Sequence, residues 1–261
     1  MALLTVDHVR KYFTDRVGSS RAVIQDLSFS VEKGEFVSLL GPSGCGKTTL
    51  LTMLAGFQPC SAGKLTLDGK TINGPGVDRG YVFQHYALFP WMTVRSNILY
   101  SLKIAGISAK EQERRLDELL DLAHLRGHEK KYPIELSGGM QQRVAVVRAL
   151  ASRPKVLLLD EPLGAVDFQM REIMQNELDL LVRQVATTVV MVTHDVSESV
   201  FLSDRVLVMS ASGCRLLADV RIAMPRPRDR YAKKFKDYVN DLTDLLRKAF
   251  HGSMEQDEKE R

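Results

Sequence analysis

Apolar residues alternate with polar ones at Leu4 and Val6, and again from Val23 and Ile24 through Leu27, Phe29 and Val31, on either side of a polar stretch around Gly18-Ser19-Ser20. This patterning predicts a pair of half-buried strands. After a turn at Glu32-Lys33-Gly34-Glu35, Phe36 to Leu40 forms an apolar run, as expected of a strand covered on both faces. Leu50, Leu51, Met53, Leu54 and Ala55 then predict a helix closed by Gly56. Residues 60–83 return to short strands and turns. From Thr93 to Ala151 the texture is helical: Ser108 and Glu111 read as a capping box, followed by a face of Leu116, Leu119, Leu120 and Ala123. A second buried strand follows at Val156 to Leu159, a helix near Met170 to Gln184, and a third buried strand at Thr188 to Val192. Strands alternating with helices predict an α/β fold with a mainly parallel core sheet. An N-terminal antiparallel β subdomain precedes most of it, and a helical subdomain of about residues 93–151 is inserted between two of its strands. No internal repeat is visible. Residues 1–230 read as the main domain and 231–261 as a helical, charged tail, expected to fray from Met254.

Composition narrows the class only modestly. Hydrophobic residues make up 44% and charged residues 26% of 261 positions, which fits a globular chain and excludes wholesale disorder. No run approaches the roughly 18 apolar residues of a membrane helix. The N-terminus lacks the basic start and apolar block of a signal peptide, so the chain is expected not to cross a bilayer by itself. A net charge of +4, with the signs interspersed, gives no basic stripe for nucleic acid, and none is expected as a partner. Cys45, Cys60 and Cys214 have no metal-ligand spacing and read as reduced thiols.

The chemistry sits at strand ends. The strand ending at Leu40 runs straight into Gly41-Pro42-Ser43-Gly44-Cys45-Gly46-Lys47-Thr48-Thr49, a P-loop. Its glycines let backbone N–H groups turn toward phosphates, and the following helix adds its dipole. Lys47 is suited to the β- and γ-phosphates of a bound nucleotide and Thr48 to Mg²⁺. Asp160 and Glu161 end the next buried strand, where ligands lie in open α/β sheets. Asp160 is a candidate to hold Mg²⁺ through water, and Glu161 to position the attacking water. His194 follows the third strand. Ser137 reads as a helix N-cap beside Gly138 and Gly139, a second anion-suited helix start. Cys45, close to a helix N-terminus, is expected to have a lowered thiol pKa. Its alkylation is expected to inhibit the enzyme, and ATP to protect.

Leu136-Ser137-Gly138-Gly139-Met140-Gln141-Gln142-Arg143 resembles the signature of ATP-binding cassette (ABC) proteins, and the motifs from about Leu4 to Arg228 arrive in that family's order. By this resemblance Phe13, or adjacent Tyr12, stacks on adenine, and Gln84 in Val82-Phe83-Gln84 senses Mg²⁺ and couples to a membrane partner. Gly164-Ala165-Val166-Asp167 is similar to the D-loop, and His194 to the switch histidine. The resemblance implies a homodimer closing on ATP, with Ser137 and Gly139 reaching ATP on the other subunit. Gly74 to Gly80, Leu88 to Val94 and Pro225-Arg226-Pro227-Arg228-Asp229 resemble the nitrate/sulfonate/taurine importer branch. That branch implies integral membrane permease subunits, an extracytoplasmic solute-binding protein and a peripheral place on the cytoplasmic face of the cell membrane. Trp91 is either a core anchor or a wall of the groove that receives a permease helix. Val147, Val166 and Ala186 depart from the family's usual Ala, Leu and Gly. Rival readings are a P-loop kinase, which has no use for the octet, and a cassette protein without a transport role.

Overall fold

The computed structural model describes residues 2–14, 18, 20–164, 168–211 and 213–257, with side chains for all of these except 168, 169 and 250–257. The chain divides into two compact units, Met1–Pro75 with Val190–Arg261, and Gly76–Val189.

The first unit opens with β1 (Ala2–Thr14) and β2 (Ser20–Glu32), paired antiparallel with Leu4 opposite Val31 and Val6 opposite Phe29. Leu4, Val6, Ile24, Leu27, Phe29 and Val31 are buried, as the patterning predicts, and Val9 is buried with them. β3 (Phe36–Leu40) is buried at every position, and its one hydroxyl, on Ser38, is satisfied by Ser203 Oγ. α1 (Lys47–Leu54) follows, and Gly56, at φ +80°, takes the left-handed conformation just beyond it. β4 (Ala62–Leu67) and β5 (Lys70–Thr71) complete an antiparallel sheet of order β2-β1-β4-β5.

In the second unit β6 (Arg79–Val82) pairs in parallel with β7 (Val156–Asp160), Tyr81 lying opposite Leu158. Between them in sequence come α2 (Val94–Ile104), α3 (Ala109–Leu122), a 3-10 turn (Pro133–Glu135) and α4 (Gly138–Leu150). The apolar face of α3 is buried at Leu116, Leu119 and Leu120, with Ala123 at its cap. The expected capping box is not formed. Ser108 occupies the N-cap without a side-chain bond, while Glu111 binds Arg114 and Arg115 at 2.6 and 2.9 Å. Two guanidiniums within one turn offer charge-assisted bonds stronger than a neutral N–H. α5 (Phe168–Val185) ends at Ala186, whose φ of +50° is the strained closure expected where an alanine replaces glycine.

The division between the units falls within β8 (Thr188–Thr193), all six residues of which are buried. α6 (Val196–Leu202), β9 (Arg205–Met209), β10 (Leu216–Arg221) and α7 (Lys233–Asp257) complete the chain. In the first unit the strands run in the order β10-β9-β3-β8, with β3 parallel to β9 and β10 antiparallel. The backbone of α7 continues to Asp257, so residues 254–257 are helical rather than frayed.

Candidate functional site

In the first unit the phosphate loop joins β3 to α1. Lys47 is the first helical residue and only 4% exposed. Its Nζ donates to the carbonyls of Gly41 (2.7 Å) and Pro42 (2.6 Å) and lies 3.8 Å from Cys45 Sγ. The ammonium is thus desolvated but hydrogen-bonded, which fixes its position at the helix start. Gly46 has φ +110°, and a Cβ there would stand 3.0 Å from Val23 Cγ1 and 3.2 Å from Cys214 Cβ. Glycine is required by both conformation and space. The first turn of α1 carries no acidic residue, so its dipole is open to an anion. Ser43, Gly44 and Thr48 are exposed, and Thr49 is half-buried.

Cys45 is 2% exposed, so an alkylating reagent reaches its sulfur only when the loop opens. A hydrogen bond from the Cys214 thiol, with the charge of Lys47, lowers its pKa to about 6 against the opposing effect of burial. Cys214, fully buried, is pushed the other way by its bond to Cys45 and by burial. The lowered pKa was expected from the helix N-terminus; the partner thiol, 169 positions away, had no signal in sequence spacing.

His194 is exposed beyond β8. Its turn is held by Thr193 Oγ1, which donates to Glu198 Oε2 and accepts from Asp195 N–H at 3.0 Å. Asp195 caps α6 by accepting from Glu198 N–H at 3.0 Å. At the other end of α6, Arg228 Nη1 donates to the carbonyls of Val200, Phe201 and Ser203, and Arg226 Nη2 to that of Leu202. The Pro-Arg-Pro-Arg run therefore closes the helix that starts beside His194. Tyr12 and Phe13 are both exposed on β1, and Lys11 Nζ lies 5.0 Å from the Phe13 ring centroid.

In the second unit Asp160 ends β7 at 8% exposure and accepts a 3.0 Å bond from Tyr81 Oη. Burial and this carboxylate both raise the Tyr81 pKa, so the phenol stays a donor. Glu161 sits at φ +43°, a strained conformation for a non-glycine residue, with its carbonyl accepting from Gly164 N–H at 3.0 Å. Gln84 Nε2 donates to Glu161 Oε2 at 3.3 Å. The structure thus brings Gln84 and Glu161 together. Asp167, with Ala165 and Val166, lies outside the described residues.

Ser137 caps α4, its Oγ accepting from Met140 N–H at 3.3 Å. Gly138 is exposed with no atom near a would-be Cβ, and at Gly139 the closest atoms are Met174 Cγ and Sδ at 3.7 Å. Trp91 is 70% exposed, which removes the core-anchor reading. It packs on Phe89 at 5.7 Å between centroids, and Phe89 packs edge-on against Tyr100 at 4.9 Å. Buried Asn97 holds this loop by four hydrogen bonds to residues 89, 92 and 93. Arg148 donates to the carbonyls of Tyr86 and Ala87 at 3.0 and 2.9 Å. Neither Asn97 nor Arg148 was marked by any motif.

A P-loop at the end of a buried parallel strand, with carboxylates ending a second, defines a nucleoside-triphosphate-binding protein of the P-loop class. A family model described as "ABC transporter" matches residues 24–164. The nitrate import ATP-binding protein NrtD of Synechocystis sp. is 42% identical over 253 residues, covering 94% of this chain and 95% of that protein. The aliphatic sulfonates import ATP-binding protein SsuB of Bacillus licheniformis is 44% identical over 217 residues, covering 82% and 83%. Among solved structures, a dimeric post-hydrolysis ATP-binding cassette bound to ADP and Pi aligns with TM-score 0.72 and 28% identity, covering 85% of this chain and all of that one. The chain belongs to the ABC transporter family. It is an ATP-binding subunit, an ATPase whose turnover is coupled to transport. Among the described residues no helix is long and apolar enough to cross a membrane.

Proposed function

We propose that two copies of this chain close head to tail on ATP and reopen on hydrolysis, and that a membrane permease converts the motion into uptake of a small anion. Nitrate, an alkanesulfonate or taurine is the solute class, supported by the likeness to the nitrate and sulfonate import proteins. The carrying observation is the start of α4. Among the described residues nothing excludes a Cβ at Gly138 or Gly139, so bare backbone there is in keeping with a phosphate from outside the chain. The dimeric form of the solved cassette supports the same arrangement.

In this reading Lys47 and the amides of residues 41–49 bind the phosphates on one copy, and Ser137 and Gly139 of the other complete the cradle. Phe13 or Tyr12 stacks on adenine, and His194 contacts the γ-phosphate. Glu161, held by Gln84, orients the attacking water. Thr48, Asp160 and Gln84 offer hard oxygen donors that fit Mg²⁺, and the ion when bound neutralises phosphate charge. Catalysis is then mostly positioning and electrostatics. The chain works peripherally on the cytoplasmic face of the membrane, fed by an extracytoplasmic solute-binding protein.

Glu161→Gln is expected to keep ATP binding, to lower turnover by about 10²-fold or more, and to elute as a dimer with ATP on size exclusion. An ATP-loaded monomer refutes the clasp. Deleting the gene should abolish growth on nitrate or on a sulfonate as sole nitrogen or sulfur source. Intact growth on both, with loss of uptake of an organic cation instead, overturns the solute assignment.

A further inference from the structure

Cys45 and Cys214 are buried side by side, yet the ATPase mechanism above has no task for Cys214. Cys214 precedes β10 in a left-handed conformation, φ +44°. Its turn is tied down by Gln25 N–H donating to the Gly213 carbonyl at 2.9 Å, by Ser210 N–H donating to the Arg215 carbonyl at 2.8 Å, and by Arg215 bonding Gln25 Oε1. The turn presents Cys214 Cβ 3.2 Å from where a side chain on Gly46 would begin, so the hairpin lies against the phosphate loop itself. There buried Cys214 adjoins the residue next to buried Cys45, and Lys47 Nζ stands 3.8 Å from the Cys45 sulfur. Two neighbouring thiols beside a fixed ammonium make a nucleophile with a resolving partner. Cys60, whose sulfur faces the Gly63 carbonyl at 3.6 Å, has a different neighbourhood.

We propose that Cys45 and Cys214 form a reversible disulfide under a small two-electron oxidant of the peroxide class, and that this bond slows ATP hydrolysis. Reached as the phosphate loop opens, the Cys45 thiolate attacks hydrogen peroxide: an S–O bond forms, the O–O bond breaks, and the departing hydroxide is protonated to water. The Cys214 sulfur then attacks Cys45: the S–S bond forms, the S–O bond breaks, and the Cys214 proton leaves with the hydroxyl as a second water. Both sulfurs are oxidised and the peroxide is reduced. A dithiol reverses the bond by exchange. An S–S bond of ~2.05 Å ties the phosphate loop covalently to the turn before β10, and a displacement of about 1 Å at a reacting centre costs about 10²-fold in rate.

The inhibitory half rests on the ATPase reading; the disulfide itself does not. Purified full-length chain is treated with hydrogen peroxide, digested without reduction and followed by mass spectrometry and ATP hydrolysis. The expected result is a linked peptide pair carrying Cys45 and Cys214, at least a tenfold fall in turnover, and recovery with dithiothreitol. Cys214→Ser should hydrolyse ATP normally when reduced, give no linked pair, and lose the recovery as Cys45 proceeds to the sulfinic acid. Cys60→Ser should still form the link. Oxidation of Cys45 in the native sequence without a Cys45–Cys214 pair overturns the site, and a link that leaves turnover unchanged overturns its effect. Absence of ATPase activity in the reduced chain would count against the ATPase reading alone, since the linked peptide would still report the site.

Discussion

The chain carries two helix starts suited to phosphate, and they differ in what makes them so. At α1 the surroundings belong to the chain: Lys47 is buried against its own loop carbonyls, and Gly46 is forced by φ +110° and by Val23 and Cys214. At α4 the cap is closed by Ser137, but Gly138 and Gly139 meet no obstacle nearer than 3.7 Å. Gly46 has a folding reason to be glycine; at Gly138 and Gly139, the first two residues of α4, no described atom would clash with an added Cβ. Only Gly138 of the pair is exposed; Gly139 is buried beneath it beside Met174.

Three substitutions test that contrast. The largest effect is expected at Gly139→Ala: ATP turnover should fall roughly tenfold to a hundredfold, while thermal unfolding shows no loss of stability. Equal losses of stability and activity would erase the distinction. Gly46→Ala should lower stability by about 2 kcal/mol or more, since strain at positive φ adds to a clash with backbone and side chain, and denaturant unfolding measures it. Unchanged stability would mean that the hairpin yields. The smallest effect belongs to Ala186→Gly, which should stabilise the fold by about 0.5–1 kcal/mol by relieving a left-handed alanine. This value calibrates the conformational part of the Gly46 penalty, leaving the remainder to crowding. No gain at Ala186 would show that its neighbours already absorb the strain.

Local order was legible where the cause is local. Phe36–Leu40 and Val156–Leu159 read as buried strands because apolar runs of that length have few alternatives, and the phosphate loop and Asp160 follow them directly in sequence. Ser137 was legible as a cap for the same reason. Ser108 was misread as a box because Arg114 and Arg115, one turn on, compete for Glu111. Contacts across long sequence separations left no trace: Tyr81 on Asp160, Arg148 on the carbonyls of residues 86 and 87, and Cys214 on Cys45 depend on which strands and loops become neighbours. Trp91 was ambiguous because an aromatic in a loop suits either an interior or a docking face, and only the packing on Phe89 at 70% exposure decides.

Arg226 and Arg228, beyond β10, change what counts as the smallest intact piece of this protein. A fragment cut after Arg221 would retain every strand, the phosphate loop and His194. It would nonetheless strip the carbonyls of Val200, Phe201, Leu202 and Ser203 of their guanidinium donors, opening the rear of the helix that begins beside that histidine. Arg226 and Arg228, in a proline-punctuated segment that belongs to no strand or helix, thus pack as part of the helix they close.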